Sequence, residues 1–194
     1  MPIGAVILAA GKGSRMGLPK WQLKMPDGDY FYTSLVEKFK EFGCETVLVI
    51  NEQDYIKLAP QLNSQNISYA VNSRLDLGRS YSLQCGLKKL SSVDFCFVHN
   101  IDNPYLSSDL LKALTARIGN FDYALPEYNK KGGHPLLINS KIINRILSVE
   151  NSFTDFREVL AEFNGIRVPF NQPEILLNIN TPEDYEKFMI RTYS

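Results

Sequence analysis

Between Gly11 and Lys20 the chain sets three glycines, Gly11, Gly13 and Gly17, among three cations, Lys12, Arg15 and Lys20. That mixture suits a phosphate chain. Glycine lets backbone N–H groups approach a ligand closely, and successive N–H groups in such a loop form an anion-binding concavity. Long cationic side chains add charge-assisted hydrogen bonds. A second candidate is Asp102, which follows the apolar run Phe95-Cys96-Phe97-Val98 and precedes Pro104. A carboxylate at the mouth of a buried strand can hold Mg²⁺, which takes hard oxygen ligands with phosphates and water. It can equally close a turn.

Spacing narrows the kind of phosphate loop. A dinucleotide fingerprint requires G-x-G-x-x-G opening into a helix. Here Met16 stands at the third glycine position, and Leu18-Pro19 prevents a clean helix start. A Walker loop ends in Gly-Lys-Ser/Thr, but Leu18 follows Gly17. A nicotinamide-dependent oxidoreductase is therefore disfavoured; Glu52 alone speaks for it.

The elements that must position these residues alternate. Ile3 to Ala10 is short and apolar, as a central strand covered on both faces should be. Ser34 and Glu37 have the spacing of a capping box before a helix that Gly43 ends. Further strands are predicted at 46–50, 67–71, 95–98, 121–125, 134–138, 166–169 and 175–179. Helices are predicted at 52–63, after Gly78, from Ser107 or Ser108 to Gly119, at 140–148 and at 154–163. A last helix opens at Thr181-Pro182-Glu183-Asp184, with proline in the first turn and acids at the positive dipole end. This alternation predicts an α/β fold: a three-layer sandwich around a mostly parallel, mixed sheet, as one domain over 1–194. Ligands of such sheets bind at the carboxyl ends of the strands, at a topological switch point. The polar segment 128–133 reads as a mobile loop.

Composition excludes other classes. The 194 residues, 44% hydrophobic and 22% charged, suffice for a core without disulfides or a structural metal. A formal net charge of +0 argues against nucleic acid or a membrane surface as partner. Cys44, Cys85 and Cys96 are widely spaced and form no C-x-x-C pair. With no signal-peptide pattern at residues 1–10 and no membrane-length apolar run, a reduced, cytoplasmic setting is expected.

The segment Leu8-Ala9-Ala10-Gly11-Lys12-Gly13-Ser14-Arg15-Met16-Gly17-Leu18-Pro19-Lys20 resembles the L-A-A-G-x-x-x-R-M-G-x-x-K signature of the nucleotidyltransferases. Within them it is similar to the molybdenum cofactor guanylyl- and cytidylyltransferase family. Ala-Ala-Gly, rather than Ala-Gly-Gly, is more like the cytidylyltransferase branch. Ile101-Asp102-Asn103-Pro104 is similar to the family's D-x-P motif, whose Asp binds the metal. Leu177-Asn178-Ile179-Asn180-Thr181-Pro182-Glu183-Asp184 resembles D-I-D/N-T-P-E-D, with Asn178 replacing the usual aspartate. Strand alternation would put Asn178 and Asn180 on one face. Gly78-Arg79-Ser80-Tyr81-Ser82-Leu83 resembles the G-x-x-x-S-L segment beside the nucleotide, although Arg79 and Tyr81 are larger than the residues often found there. His134, in Gly132-Gly133-His134-Pro135, resembles a G-H-P motif on the acceptor side.

The resemblance implies a Rossmann-like fold of the nucleotide-diphospho-sugar transferase type. It implies transfer of NMP, from CTP by preference with GTP as an alternative, to a small phosphorylated acceptor of the molybdopterin type, with pyrophosphate released. Arg15, Lys20 and Asp102 would be catalytic. Leu8, Ala9, Ala10, Gly11, Gly13, Ser14, Gly78 and Ser82 would line the nucleotide. Asp102 and Asn180 would hold Mg²⁺, and a molybdoenzyme would take the product. Trp21 and Tyr81 are candidate stacking partners for the base. A phosphosugar, phosphocholine or isoprenoid phosphate would use the same half-site. A non-catalytic nucleotide-binding protein is the reading outside enzymes.

Overall fold

The computed structural model describes residues 1–11, 13–148 and 155–191; Lys12, with its expected role, and residue 154 lie outside these. The central strand β1 (Ile3–Leu8) is buried on both faces. Ala5, Ile7 and Ala9 enter one apolar core, while Val6, Leu8 and Ala10 enter the other. The period of two along one strand thus makes the middle layer of three.

The first face carries α1 (Phe31–Glu41), α2 (Glu52–Ser64) and α4 (Ser108–Arg117), through residues such as Leu35, Phe39, Leu58, Leu62 and Leu110. The second face carries α3 (Gly78–Lys89), α5 (Ser140–Leu147) and α6 (Phe156–Ala161), through Leu83, Leu87, Ile142, Ile146 and Val159. The last helix, α7 (Pro182–Arg191), packs Tyr185 and Phe188 edge-on against Phe31. Among the described residues no helix is long and apolar enough to cross a membrane.

Parallel pairing joins β1 to β2 (Glu45–Asn51) and to β4 (Phe95–Asn100), and β2 to β3 (Tyr69–Asn72). Beyond β4 the sheet turns antiparallel through β7 (Leu136–Asn139), β5 (Tyr123–Tyr128) and β6 (Lys131–Gly132). The order is β3-β2-β1-β4-β7-β5-β6, and β8 (Gly165–Pro169) pairs parallel with β5. The sheet is mixed, as expected, and its switch point falls between β1 and β4.

Three local expectations fail. Helix α1 starts at Phe31, so Ser34 and Glu37 lie inside it and cap nothing. Burial of Phe31 and Tyr32 outweighs the capping signal. The segment 175–179 is no strand. Residues Pro173–Leu176 form a 3₁₀ turn, and Ile175 O accepts from His134 N and Asn103 Nδ2 rather than from a neighbouring ladder. The segment 128–133 is a tight hairpin instead of an open loop, with Asn129 (φ 48°) and Lys130 (φ 63°) at its tip. Ser82, by contrast, is buried within α3, and its hydroxyl accepts from Asn72 Nδ2 at 2.8 Å.

Close packing fixes α3 over the site. A Cβ at Gly86 would lie 2.5 Å from Val6 Cγ1 and 2.8 Å from Val49 Cγ2. Glycine there lets the helix approach the centre of the sheet.

Candidate active site

Three residues far apart in the chain meet beyond the carboxyl ends of β1 and β4. Lys20 Nζ donates to Asp102 Oδ2 at 2.6 Å and to Asn180 Oδ1 at 2.9 Å. Lys20 is separated from Asp102 by 82 positions and from Asn180 by 160. The Lys20 and Asp102 side chains are 15% and 16% exposed, so the pair is shielded without being sealed off.

Each partner is held from behind. Lys20 opens a 3₁₀ turn whose next residue, Trp21, is buried. Trp21 Nε1 donates to Asp54 Oδ1 at 3.0 Å, so its ring belongs to the core and does not stack on a base. Asp54 Oδ2 accepts from Asn51 Nδ2 at 2.6 Å, and the same amide reaches Ala10 O at 3.2 Å. Asn51 also caps α2 through Asp54 N. One network therefore fastens both ends of the glycine-rich loop to the start of α2. Inside the loop Gly13 adopts φ 61°, and a Cβ there would lie 2.8 Å from Leu18 O. Only glycine fits that crossing.

Asp102 sits within a tight turn closed by Asn103 N donating to Asn100 O, and Ile101 N donates to Leu8 O at the end of β1. Its own carbonyl accepts from Ile179 N at 2.8 Å, which draws Asn180 to the carboxylate. Asp184 Oδ2 then accepts from the backbone N–H groups of Asn180 and Thr181, and Thr181 Oγ1 accepts from Asp184 N. The expected cap of the last helix thus also fixes a site residue. Asn178 takes no part: it is exposed and donates to Leu176 O.

Beside this cluster lies a cavity of about 380 Å³. Of the expected residues, Leu8, Ala10, Gly11, Lys20, Gly78, Ser82 and Asp102 line it. Ala9 does not, because strand alternation turns it to the opposite core. Gly13, Ser14 and Arg15 are also absent from the lining; Ser14 and Arg15 are exposed in the loop's outer turn. Tyr81 is half-buried and lines nothing here. Leu75, Arg79, Asn100 and Ile101 join the wall. Sequence reasoning missed Asn51, Asp54 and Asn100; the Asn51-x-x-Asp54 spacing is visible but reads as an ordinary helix cap.

Two histidines lie behind the wall. His99 is fully buried, with Nε2 2.7 Å from Asn103 O. Burial, then the neighbouring His134, hold its pKa down at about 3. His134 Nε2 is 3.2 Å from Asn100 Nδ2. Burial first and the Arg79 guanidinium second hold it down at about 4. Both rings are neutral at physiological pH, which makes His134 a poor proton carrier. Arg79 stands exposed at the cavity rim, yet surrounding protein lowers its pKa. Open access to solvent keeps the guanidinium charged; the shift marks how closely the walls approach it.

The donor set fits a hard divalent cation. Asp102 Oδ1 is buried and has no hydrogen-bond partner among the described residues. Asp102 and Asn180 offer oxygen only, as Mg²⁺ prefers. Among the described residues no group of three or more His, Cys, Asp or Glu could hold a metal, so a cation held by Asp102 and Asn180 would need phosphates and water to complete its shell.

The sequence matches the family described as MobA-like NTP transferase domain over residues 5–166. The molybdenum cofactor cytidylyltransferase of Escherichia coli (strain K12) is 27% identical over 183 residues, covering 94% of this chain and 93% of that protein. A protein of Methanosarcina acetivorans named as a probable molybdenum cofactor guanylyltransferase is 26% identical over 201 residues, covering 95% and 89%. In three dimensions the Rv0371C protein of Mycobacterium tuberculosis H37Rv, crystallised in complex with manganese, superposes with a TM-score of 0.75 at 15% identity, covering 98% and 99%. The family match runs from within β1 into β8 and takes in the glycine-rich loop and Asp102; the chain therefore belongs to the MobA-like NTP transferase family and is a nucleotidyltransferase.

Proposed function

We propose that the protein transfers CMP from CTP to a small phosphorylated acceptor of the molybdopterin type, with Mg²⁺ and with release of pyrophosphate. The observation that carries this reading is the convergence of Lys20, Asp102 and Asn180 beside a cavity walled by Ala10, Gly11, Gly78 and Ser82. Preference for CTP rests on Ala9-Ala10-Gly11 and on the similarity to a cytidylyltransferase. The guanylyltransferase relative makes GTP the competing substrate.

In this reading the part of the wall formed by Ala10, Gly11, Gly78 and Ser82 receives the base and ribose, and the glycine-rich loop receives the triphosphate. Nucleotidyl transfer consists mainly of positioning and charge neutralisation. Lys20 stabilises charge on the triphosphate and on departing pyrophosphate, and Arg15 adds a second cation from the loop's outer turn. Asp102 and Asn180 would hold Mg²⁺, which neutralises phosphate oxygens when bound. The manganese complex of the mycobacterial neighbour supports a divalent cation in this fold.

The test is pyrophosphate release with molybdopterin and Mg²⁺, comparing CTP, GTP, ATP and UTP. CTP should give the highest kcat/KM. Preference for GTP overturns the cytidylyl assignment. Turnover only with a phosphosugar or an alcohol phosphate overturns the acceptor.

A further inference from the structure

Two cations line the cavity, and they differ in their partners. Lys20 is paired with Asp102, whereas the Arg79 side chain makes no ion pair or hydrogen bond among the described residues. The charged groups that act on Arg79 are Asp102 at the end of β4 and Asp155 and Arg157 at the start of α6. Arg79 in turn acts on His134, which is tied to Asn100 in the wall. None of these groups belongs to the glycine-rich loop. Arg79 therefore lines the same cavity as Lys20 and Asp102, and of the two lining cations it is the one with no fixed partner among the described residues.

We propose that Arg79 is the specificity-determining residue for the acceptor and holds its phosphomonoester group. This rests on the nucleotidyl-transfer reading above. Joining a phosphomonoester to a nucleotide brings two anions together, and a cation must stand between them. A guanidinium fork matches two phosphate oxygens at once and leaves the third free. That third oxygen forms the new bond to the α-phosphorus. The bond from the α-phosphorus to the bridging oxygen breaks, and its electron pair leaves on pyrophosphate. A phosphomonoester dianion attacks without losing a proton. No general base is needed, in keeping with two neutral histidines behind the wall.

The variants are Arg79→Met and Arg79→Lys; the position is exposed, and circular dichroism checks the fold. Each protein is saturated with Mg²⁺ and the α,β-methylene analogue of CTP, and inorganic phosphate is titrated against the ³¹P line width. Wild-type protein should bind phosphate. Arg79→Met should bind it at least about tenfold more weakly, with Arg79→Lys between, as the loss of a bidentate charged contact requires. Analogue affinity should stay within about twofold in all three, because in this proposal Lys20 and the glycine-rich loop hold the triphosphate and Arg79 holds only the acceptor. Equal phosphate affinity in wild type and Arg79→Met overturns the proposal. So does absence of phosphate binding to the wild-type complex. Loss of analogue affinity alongside phosphate affinity also overturns it and assigns Arg79 to the nucleotide. Should the analogue bind none of the proteins, the nucleotidyl-transfer reading fails instead. The same phosphate comparison on nucleotide-free protein then decides Arg79 by itself.

Discussion

Lys20 Nζ lies 2.6 Å from Asp102 Oδ2, so an ammonium group sits on the carboxylate that would serve a divalent cation. Asn180 Oδ1, at 2.9 Å, is held by the same ammonium. Lysine and a metal held there would thus compete for one set of oxygens until a triphosphate drew the lysine away. Such competition would leave a metal site that fills properly only with nucleotide.

Replacing Lys20 with Met should separate the two roles. Without nucleotide, the variant should bind Mn²⁺ roughly tenfold more tightly than wild type, a gain of about 1.4 kcal/mol, as read from the free-ion signal in electron paramagnetic resonance. Nucleotidyl transfer should fall about a hundredfold or more, the scale of losing a preorganised charge in a reacting site. Unchanged Mn²⁺ affinity would show that the ammonium does not compete with the metal.

Asn178 and Asn180 should respond differently to added charge. Asn180→Asp puts a second carboxylate beside Lys20 and Asp102 and should raise Mn²⁺ affinity at least about tenfold. Asn178→Asp changes an exposed side chain that donates to Leu176 O and to nothing else among the described residues. It should leave metal affinity and turnover within about twofold, as surface changes usually do. An equal response in both variants would contradict the separation of the two side chains.

The parts of this arrangement that sequence exposed are those with local periodicity. Alternation along Ile3–Leu8 marks the central strand, and the glycines and cations after it mark the loop. The Thr181-Pro182-Glu183-Asp184 cap is also local and appears as expected. What sequence could not show depends on tertiary partners. Residues 175–179 are apolar and strand-like in pattern, but Asn103 and His134 take up the Ile175 carbonyl that a ladder would have used. Ala9 stands inside the loop signature, yet the pleat turns it away from the cavity. Arg79 reads as an oversized neighbour of Gly78 until the β4 end and α6 are seen around it.

Stability should depend on pH through His99 and His134. Their folded pKa values, about 3 and about 4, lie below the ordinary 6.5. The unfolded chain therefore binds more protons as pH drops below 6.5. The stabilising contribution is fully present above that value and is lost as pH falls toward 4 and then 3. Each histidine contributes a slope of up to about 1.4 kcal/mol per pH unit. From pH 6 to 5, where carboxylates titrate little, the pair should cost roughly 2 to 3 kcal/mol. Urea midpoints across that range test this, and His134→Gln should halve the slope. A flat profile would mean that the imidazoles are not shielded from protonation.

The glycine-rich loop should lose its shape when Asp54 is removed, although Asp54 does not line the cavity. Its two oxygens accept from Trp21 Nε1 and Asn51 Nδ2, and the Asn51 amide also holds Ala10 O. Asp54→Ala leaves two buried donors without their acceptor, which should cost about 2 to 6 kcal/mol in urea denaturation at about 1 to 3 for each unsatisfied group. Because Ala10 and Lys20 flank the loop, KM for the nucleotide should rise about tenfold with kcat less affected at saturation, the signature of lost uniform binding. Trp21→Phe keeps the ring and deletes the donor, so it should cost only about 1 kcal/mol and change KM slightly. In the double variant the Trp21 change should cost nearly nothing further, since its partner is already gone. Full additivity of the two losses would show that the indole and the carboxylate act separately and that the loop is held by something else.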